Sequence, residues 1–226
     1  MTHIVENLHL PFSDFFTKFS DRNSVYKFGE ESRLVALESV TKFRHVIDIG
    51  AHVGISVLHW KQHFDHVTAF EPMVDHFECL KLNTENIQGV TIHNCAISNQ
   101  EATLKGAYRS GKNSGSFQLL DDAYLSYVGK RKARTIYDIP SRRLDSFEFD
   151  AVDLIKIDVE GWEFEVLKGA VETIKKHKPT LMVEFTGGSD YKSLHRYNVD
   201  EYYALIEQLE YRAVVRKDGD TIYVPK

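Results

Sequence analysis

A glycine turn and a set of acids at the ends of apolar runs carry the chemistry this sequence offers. The stretch Val46-Ile47-Asp48-Ile49-Gly50-Ala51-His52-Val53-Gly54 takes an apolar strand into a turn and then an amphipathic helix. Gly50, with no Cβ, lets the backbone turn tightly and approach a ligand, and Gly54 lets the helix start lie close to the strand. In an open α/β sheet such a ligand sits outside the carboxyl ends of the strands, at the topological switch point. A dinucleotide fingerprint needs a glycine two places after the first to admit a pyrophosphate, and His52 stands there instead. The phosphate-loop pattern, which ends on Gly-Lys-Ser/Thr, is absent too. Asp48 would repel a phosphate and suits a cationic ligand. Glu71 follows the second strand in Ala69-Phe70-Glu71-Pro72, where a carboxylate can accept both ribose hydroxyls of an adenosine or cap the next helix. Ribose recognition in an acidic pocket without a pyrophosphate site points to S-adenosylmethionine.

A second group lies further along. Lys156, Asp158 and Glu160 alternate across the end of one strand, so a period of two sets them on one face. Glu184 ends the neighbouring strand, and parallel strands bring both sets to one carboxyl edge. A carboxylate there can serve as the base that deprotonates a hydroxyl acceptor. Asp158 ranks first for that role, then Glu160 and Glu184, with His52 behind. Lys156 is expected to pair with one of these acids, and Glu163 and Glu165 to be solvated or paired on the following helix. Asp158 and Glu184 are oxygen ligands of the kind Mg²⁺ accepts, but polar pocket walls are the preferred reading and no metal ligand is assigned. His59, His63 and His66 read as a helix face. Lys130, Arg131, Lys132 and Arg134, with Arg142 and Arg143 after them, read as a solvated loop, or as a grip on a phosphorylated acceptor.

These residues need a scaffold that brings strand ends together. After residue 44, the β-rich runs 45–49, 67–70, 90–96, 154–158 and 180–185 alternate with helical patterns near 54–64, 73–86, 161–177 and 199–210. That alternation predicts a mostly parallel sheet with helices on both faces. Tyr211–Arg216 and Thr221–Val224 flank Asp218-Gly219, which predicts a closing antiparallel hairpin. Residues 1–44 stand outside the alternation as a helical extension. Phe12, Phe15, Phe16 and Phe19 mark one helix face, for the core, a lid or self-association into a homo-oligomer, and a second helix runs near 31–43. Residues 106–140 read as an irregular, substrate-facing insertion.

Composition bounds the rest. The chain has 226 residues, with 28 Lys+Arg against 33 Asp+Glu and a net charge of −5. A single domain spanning 1–226 can bury one large core at that length. Mild acidity argues against a nucleic-acid binder that relies on a strong positive field, and no apolar run reaches the ~18 residues that span a membrane. Two cysteines, Cys79 and Cys95, form no C-x-x-C pair, so a disulfide framework is not expected and a reducing, cytoplasmic setting is.

With these residues in place the sequence resembles the FkbM type of class I S-adenosylmethionine-dependent methyltransferases. The resemblance covers residues 30–186 and rests on Asp48 to Gly54, Phe70-Glu71-Pro72, Asn94-Cys95-Ala96-Ile97-Ser98, Ser141 to Ser146, and above all Leu154 to Glu163 continuing through Glu165 to Ala170. It implies a Rossmann-like fold with a seven-stranded sheet ordered 3-2-1-4-5-7-6, O-methyl transfer, and adenine contacts from Asn94–Ala96. His52 departs from the family pattern, where Asn is common. The candidate cofactor site is then Asp48, Gly50, Ala51, His52, Gly54, Glu71, Asn94, Ala96 and Asp158, and the candidate catalytic acids are Asp158, Glu160 and Glu184. The expected acceptor is a hydroxyl of a small molecule or glycan. Competing readings are a nicotinamide-dependent dehydrogenase, disfavoured by His52, and a catalytically silent adaptor that binds S-adenosylmethionine.

Overall fold

The computed structural model describes residues 2–5, 8–11, 29–108, 114–121, 135–184, 199–217 and 219–226. Its first elements are strands: β1 (Thr2–Val5) and β2 (Leu8–Pro11) pair antiparallel. A wholly helical N-terminal extension is therefore corrected. The reason is the alternation Leu8-His9-Leu10, which buries both leucines beside Val53, Leu58 and Cys79. The phenylalanine face at 12–19 lies outside the described residues. The second expected helix is α1 (Glu30–Glu38), shorter than expected because Val40 turns into the core.

The alternating body follows as β3 (His45–Ile49), α2 (Ile55–Trp60), β4 (His66–Phe70), α3 (Val74–Thr84) and β5 (Val90–His93). Next come β6 (Ala96–Ile97), β7 (Ala102–Tyr108), β8 (Phe117–Leu120) and β9 (Tyr137–Arg142). The chain returns to the main sheet with β10 (Leu154–Ile157), α4 (Glu163–Lys168), α5 (Val171–His177) and β11 (Thr180–Glu184). It ends on α6 (Val199–Gln208), β12 (Tyr211–Lys217) and β13 (Asp220–Pro225).

The main sheet has seven strands in the order β12-β13-β11-β10-β3-β4-β5, which counts as 3-2-1-4-5-7-6 from the β5 edge. β3, β4, β5, β10 and β11 run parallel, and β13 is antiparallel to both β11 and β12. Successive residues go to opposite faces: Ile47 and Ile49 join one apolar cluster with Ile155, Ile157 and Val183, whereas Val46 joins another with Trp60, Leu154 and Met182. Burial on both faces is what makes these strands continuously apolar rather than alternating.

Three expectations are corrected in detail. The helix expected over 161–177 is two helices broken at Gly169, where a Cβ would stand 1.9 Å from the Ser98 carbonyl oxygen. The run 90–96 does not form one strand, since Ala96–Ile97 leaves the main sheet and pairs with β9. The insertion is not simply irregular: β6, β9, β7 and β8 form a second, four-stranded sheet. Residues 109–113 and 122–134, with the basic cluster at 130–134, lie outside the described residues. Among the described residues, no helix is long and apolar enough to cross a membrane.

Candidate functional site

A cavity of about 320 Å³ opens at the carboxyl ends of β3, β4, β10 and β11. Gly50 forms its floor with φ +83°, and the Gly50 and Ala51 amides both donate to the Phe70 carbonyl oxygen at 3.0 Å. A Cβ on Gly50 would lie 1.8 Å from the Asp158 carbonyl oxygen, so only glycine brings the two strand ends this close. Gly54 (φ +91°) does not line the cavity. It lets α2 meet α3, because a Cβ there would stand 2.7 Å from Leu80 Cδ1.

Glu71 and His52 share one wall. Glu71 is 5% exposed; Oε2 accepts the His52 amide at 2.9 Å and Oε1 the Met73 amide at 2.9 Å. The Met73 contact lies at the cap of α3, so Glu71 is at once a cap and a cavity residue. His76 Nδ1 donates to Glu71 Oε1 at 3.3 Å, and His76 Nε2 lies 3.2 Å from the Tyr108 hydroxyl. Burial opposes the charge on Glu71, but the His76 contact and the Met73 amide overcome it and hold the carboxyl below its ordinary range. His52 sits at φ +51° with its ring 4.3 Å from that of His76. Burial, reinforced by His76, lowers its pKa to about 3. His52 is thus a neutral wall and a poor base at pH 7, which removes it from the ranked bases.

Besides Gly54, two more expected cofactor residues stand back from the cavity. Asn94 does not line it; its Nδ2 donates to the Glu71 and Pro72 carbonyl oxygens at 2.8 and 3.1 Å, and so shapes the turn that carries Glu71. Ala96, next to it, does line the cavity with Cys95 and Ile97. Asp48 is fully buried beneath the site, and Lys156, its register partner across β3 and β10, lies 3.2 Å away. The Asp48 charge is met by that ammonium and does not face a ligand.

Lys156 ties the catalytic candidates together. Its Nζ donates to Asp48 Oδ1 and to the Gly50 carbonyl oxygen, each at 3.2 Å, and forms an ion pair with Asp158 Oδ2 at 3.3 Å. Burial alone would favour the neutral amine, but Asp158 and Asp48 reverse that and keep Lys156 charged. Asp158, Glu160 and Glu184 all line the cavity. Partial burial opposes ionisation of Asp158; the Lys156 ammonium, helped by the neighbouring Glu184 carboxyl, outweighs it and lowers the Asp158 pKa. The Asp158 charge, then burial, push the Glu184 carboxyl well above the usual carboxylate range. Among the described residues, no group of three His, Cys, Asp or Glu side chains is placed to hold a metal ion.

Glu163 corrects the sequence reading. It is fully buried rather than solvated, Oε1 accepts the Gly161 amide at 2.8 Å, and burial raises its pKa to about 7. Glu165 does pair, with Lys168 at 2.6 Å. Arg142 stacks on Phe147 at 4.0 Å and Arg143 meets Asp145 at 3.0 Å; neither lines the cavity. The sequence reading also missed Arg33 on α1, and Phe117 and Leu119 on β8, all cavity residues. An arginine on the apolar side of a helix, between Ser32 and Ala36, was the available signal for Arg33.

The methyltransferase FkbM domain model matches residues 48–213. Methyltransferase 1 of Beauveria bassiana (strain ARSEF 2860) is 26% identical over 142 residues, covering 55% of this chain and 57% of that protein. Methyltransferase sdnD of Sordaria araneosa is 27% identical over 156 residues, covering 56% and 60%. The chain thus spans less than two thirds of the length of these relatives. Among solved structures, the methyltransferase FkbM from Methylobacillus flagellatus KT superposes with a TM-score of 0.54 at 21% identity, over 80% of this chain and 43% of that one. The N-methyltransferase NodS from Bradyrhizobium japonicum WM9 gives 0.50 at 11% identity, over 92% and 100%. The fold is that of the class I methyltransferases.

Proposed function

The chain belongs to the methyltransferase FkbM domain family, and from that premise we propose that it transfers a methyl group from S-adenosylmethionine to a hydroxyl oxygen of a small molecule or a glycan. The observation that carries the acceptor chemistry is Asp158 on the cavity wall with the Lys156 ammonium 3.3 Å away and Glu184 lining the same wall. A hydroxyl must lose its proton to become an effective nucleophile, and an ionised carboxylate in reach supplies a general base.

The residues present fit the donor. Glu71 keeps lone-pair capacity on Oε2 for a ribose hydroxyl, since a carboxylate accepts about four hydrogen bonds and three are in place. Gly50 presents backbone without a side chain to the cavity, and Ala96 with Cys95 and Ile97 offers an apolar wall for an adenine. When bound, the sulfonium supplies an electrophilic methyl carbon.

The chain's own groups do the rest. Walls of the cavity orient the acceptor, and orientation of this kind is worth roughly 7–11 kcal/mol of barrier. The Asp158 carboxylate takes the hydroxyl proton. Lys156 holds Asp158 in place and keeps it ionised between turnovers. Glu184, its carboxyl pushed up chiefly by the Asp158 charge, stands on the same cavity wall. Glu160 adds a further acid to the same wall. The reaction belongs to a reducing cytoplasm, a reading supported by the burial of both cysteine side chains, Cys79 and Cys95.

The test is calorimetric titration of the chain with S-adenosylhomocysteine and with NADH, followed by a methyl-transfer screen across sugars, nucleotides and polyketide-like alcohols. We expect S-adenosylhomocysteine to bind and NADH not to. Asp158→Asn should then lower kcat by about 10²–10⁴-fold while donor affinity stays within threefold. NADH binding alone, or wild-type turnover in Asp158→Asn, would refute the reading.

A further inference from the structure

We propose that Asn83 is a positioning residue for the donor turn, and that the β1–β2 pair braces that turn by docking on it. The proposal rests on the methyl-donor reading above and adds to it a segment outside residues 48–213, which the family model matches.

The turn needs support. Gly50 (φ +83°), His52 (φ +51°) and Gly54 (φ +91°) put three left-handed residues into five positions. Two are glycines, but His52 carries a Cβ and is held there against a steric cost. Such strain lasts only where the surroundings over-determine the backbone. The His52 amide also donates to Glu71 Oε2, so slack in the turn would loosen a wall of the cavity.

Asn83, in the last turn of α3, supplies that support with one side-chain amide. Its Nδ2 donates to the Val53 carbonyl oxygen at 2.8 Å, between His52 and Gly54, and to the His9 carbonyl oxygen of β2 at 2.9 Å. Its Oδ1 accepts the His9 amide at 2.7 Å. Both Nδ2 hydrogens are thereby used. Toward β2 the side chain offers a donor and an acceptor side by side, as a neighbouring strand would. The paired bonds to His9 fix the plane of the amide, and the remaining hydrogen is then aimed at Val53.

A second contact runs beside the first. Leu8 and Leu10, on either side of His9, are fully buried in a cluster with Val53, Ile55, Leu58 and Cys79. Ile55 lines the cavity as well. The strand therefore bears on the turn through its backbone, by way of Asn83, and through its leucines.

Two substitutions break this line at different links. Asn83→Ala removes the amide, whereas His9→Pro removes the N–H that Oδ1 accepts and touches neither Asn83 nor the turn. S-Adenosylhomocysteine is titrated calorimetrically into the wild-type chain, both single variants and the double variant, and the melting midpoint of each ligand-free chain is recorded. Each single variant should bind about 3- to 10-fold more weakly, the range that one net hydrogen bond commands. The double variant should lose less than the product of the two single losses, because His9 acts on the turn through Asn83. Wild-type affinity in His9→Pro, or a double-variant loss equal to that product, would overturn the brace. Lowered melting midpoints with every affinity within twofold of wild type would overturn it too, since a contact that only stabilises the fold gives that result. Should Asn83→Ala fail to fold, the affinity of His9→Pro decides alone. Wild-type chain that does not bind S-adenosylhomocysteine would instead strike the donor reading, and the brace would fall with it.

Discussion

Glu163 should make the protein lose stability as pH rises through neutrality, and Glu163→Gln should remove that loss. The side chain is fully buried, its ordinary pKa of 4.5 is raised by burial to about 7, and its Oε1 accepts the Gly161 amide at 2.8 Å. A folded-state pKa above the unfolded value means that folding favours the proton. That stability is complete below about pH 4.5 and is lost as pH rises through about 7. Two and a half units at 1.36 kcal/mol each give about 3 kcal/mol in all. Between pH 5 and 8.5 about 2–3 kcal/mol of it should disappear, a large part of a typical 5–15 kcal/mol total. Glutamine keeps an oxygen for Gly161 and has no proton to lose in this range. Its fixed cost shifts the whole curve without changing its slope. Urea unfolding of both chains at half-unit steps from pH 5 to 8.5 gives the difference directly. Wild type should fall relative to Glu163→Gln with a midpoint near pH 6 to 7. Parallel curves would refute the reasoning and place Glu163 among ordinary carboxylates.

Two further substitutions test the floor of the cavity. Gly50→Ala combines a positive φ of 83° with a Cβ 1.8 Å from the Asp158 carbonyl oxygen, and should cost about 3 kcal/mol or more and abolish S-adenosylhomocysteine binding; wild-type stability and affinity would mean the turn has another geometry. Lys156→Met leaves buried Asp48 without its ammonium and should cost about 3–5 kcal/mol at pH 8, less at pH 5, where the Asp48 carboxyl, already raised by burial, takes up a proton. A loss below about 1 kcal/mol at pH 8 would show that Lys156 does not hold the strand ends together.

What was legible in the sequence was local. Gly50 announces its turn because a positive φ and a close approach both demand glycine, and the apolar runs announce strands buried on both faces. The errors come from contacts between distant segments. Asp48 looked like a ligand-facing acid, yet the register of β3 against β10 sets it opposite Lys156, and nothing in either segment states that register. Glu163 looked solvated because it opens a helix, but the backbone before it passes through positive φ at Glu160 (55°) and Gly161 (100°) and folds the carboxyl inward. The insertion looked irregular because Gly106 and Gly115 read as turns. Gly106 in fact makes room for Phe117, whose ring would lie 2.3 Å from a Cβ there, as β7 pairs with β8.

The acids around the cavity are fewer in charge than in number. Asp48 is matched by Lys156, the Asp158 charge pushes the Glu184 carboxyl well upward, and burial raises Glu163 to about 7. Buried carboxyls at neighbouring strand ends cannot all ionise, because each negative charge raises the pKa of the next. Asp158 and Glu71 keep theirs because each has a dedicated partner, Lys156 for the one and His76 with backbone amides for the other. A sulfonium entering this cavity changes that balance. Its positive charge favours ionisation of the Asp158–Glu184 pair, so donor binding should release a fraction of a proton near pH 8. Titrations of S-adenosylmethionine in buffers of different ionisation enthalpy would measure that release, whereas S-adenosylhomocysteine, which lacks the charge, should show much less. The acid pair then works as a base whose strength the bound donor sets, and equal proton release with the two ligands would separate the pair from the sulfonium altogether.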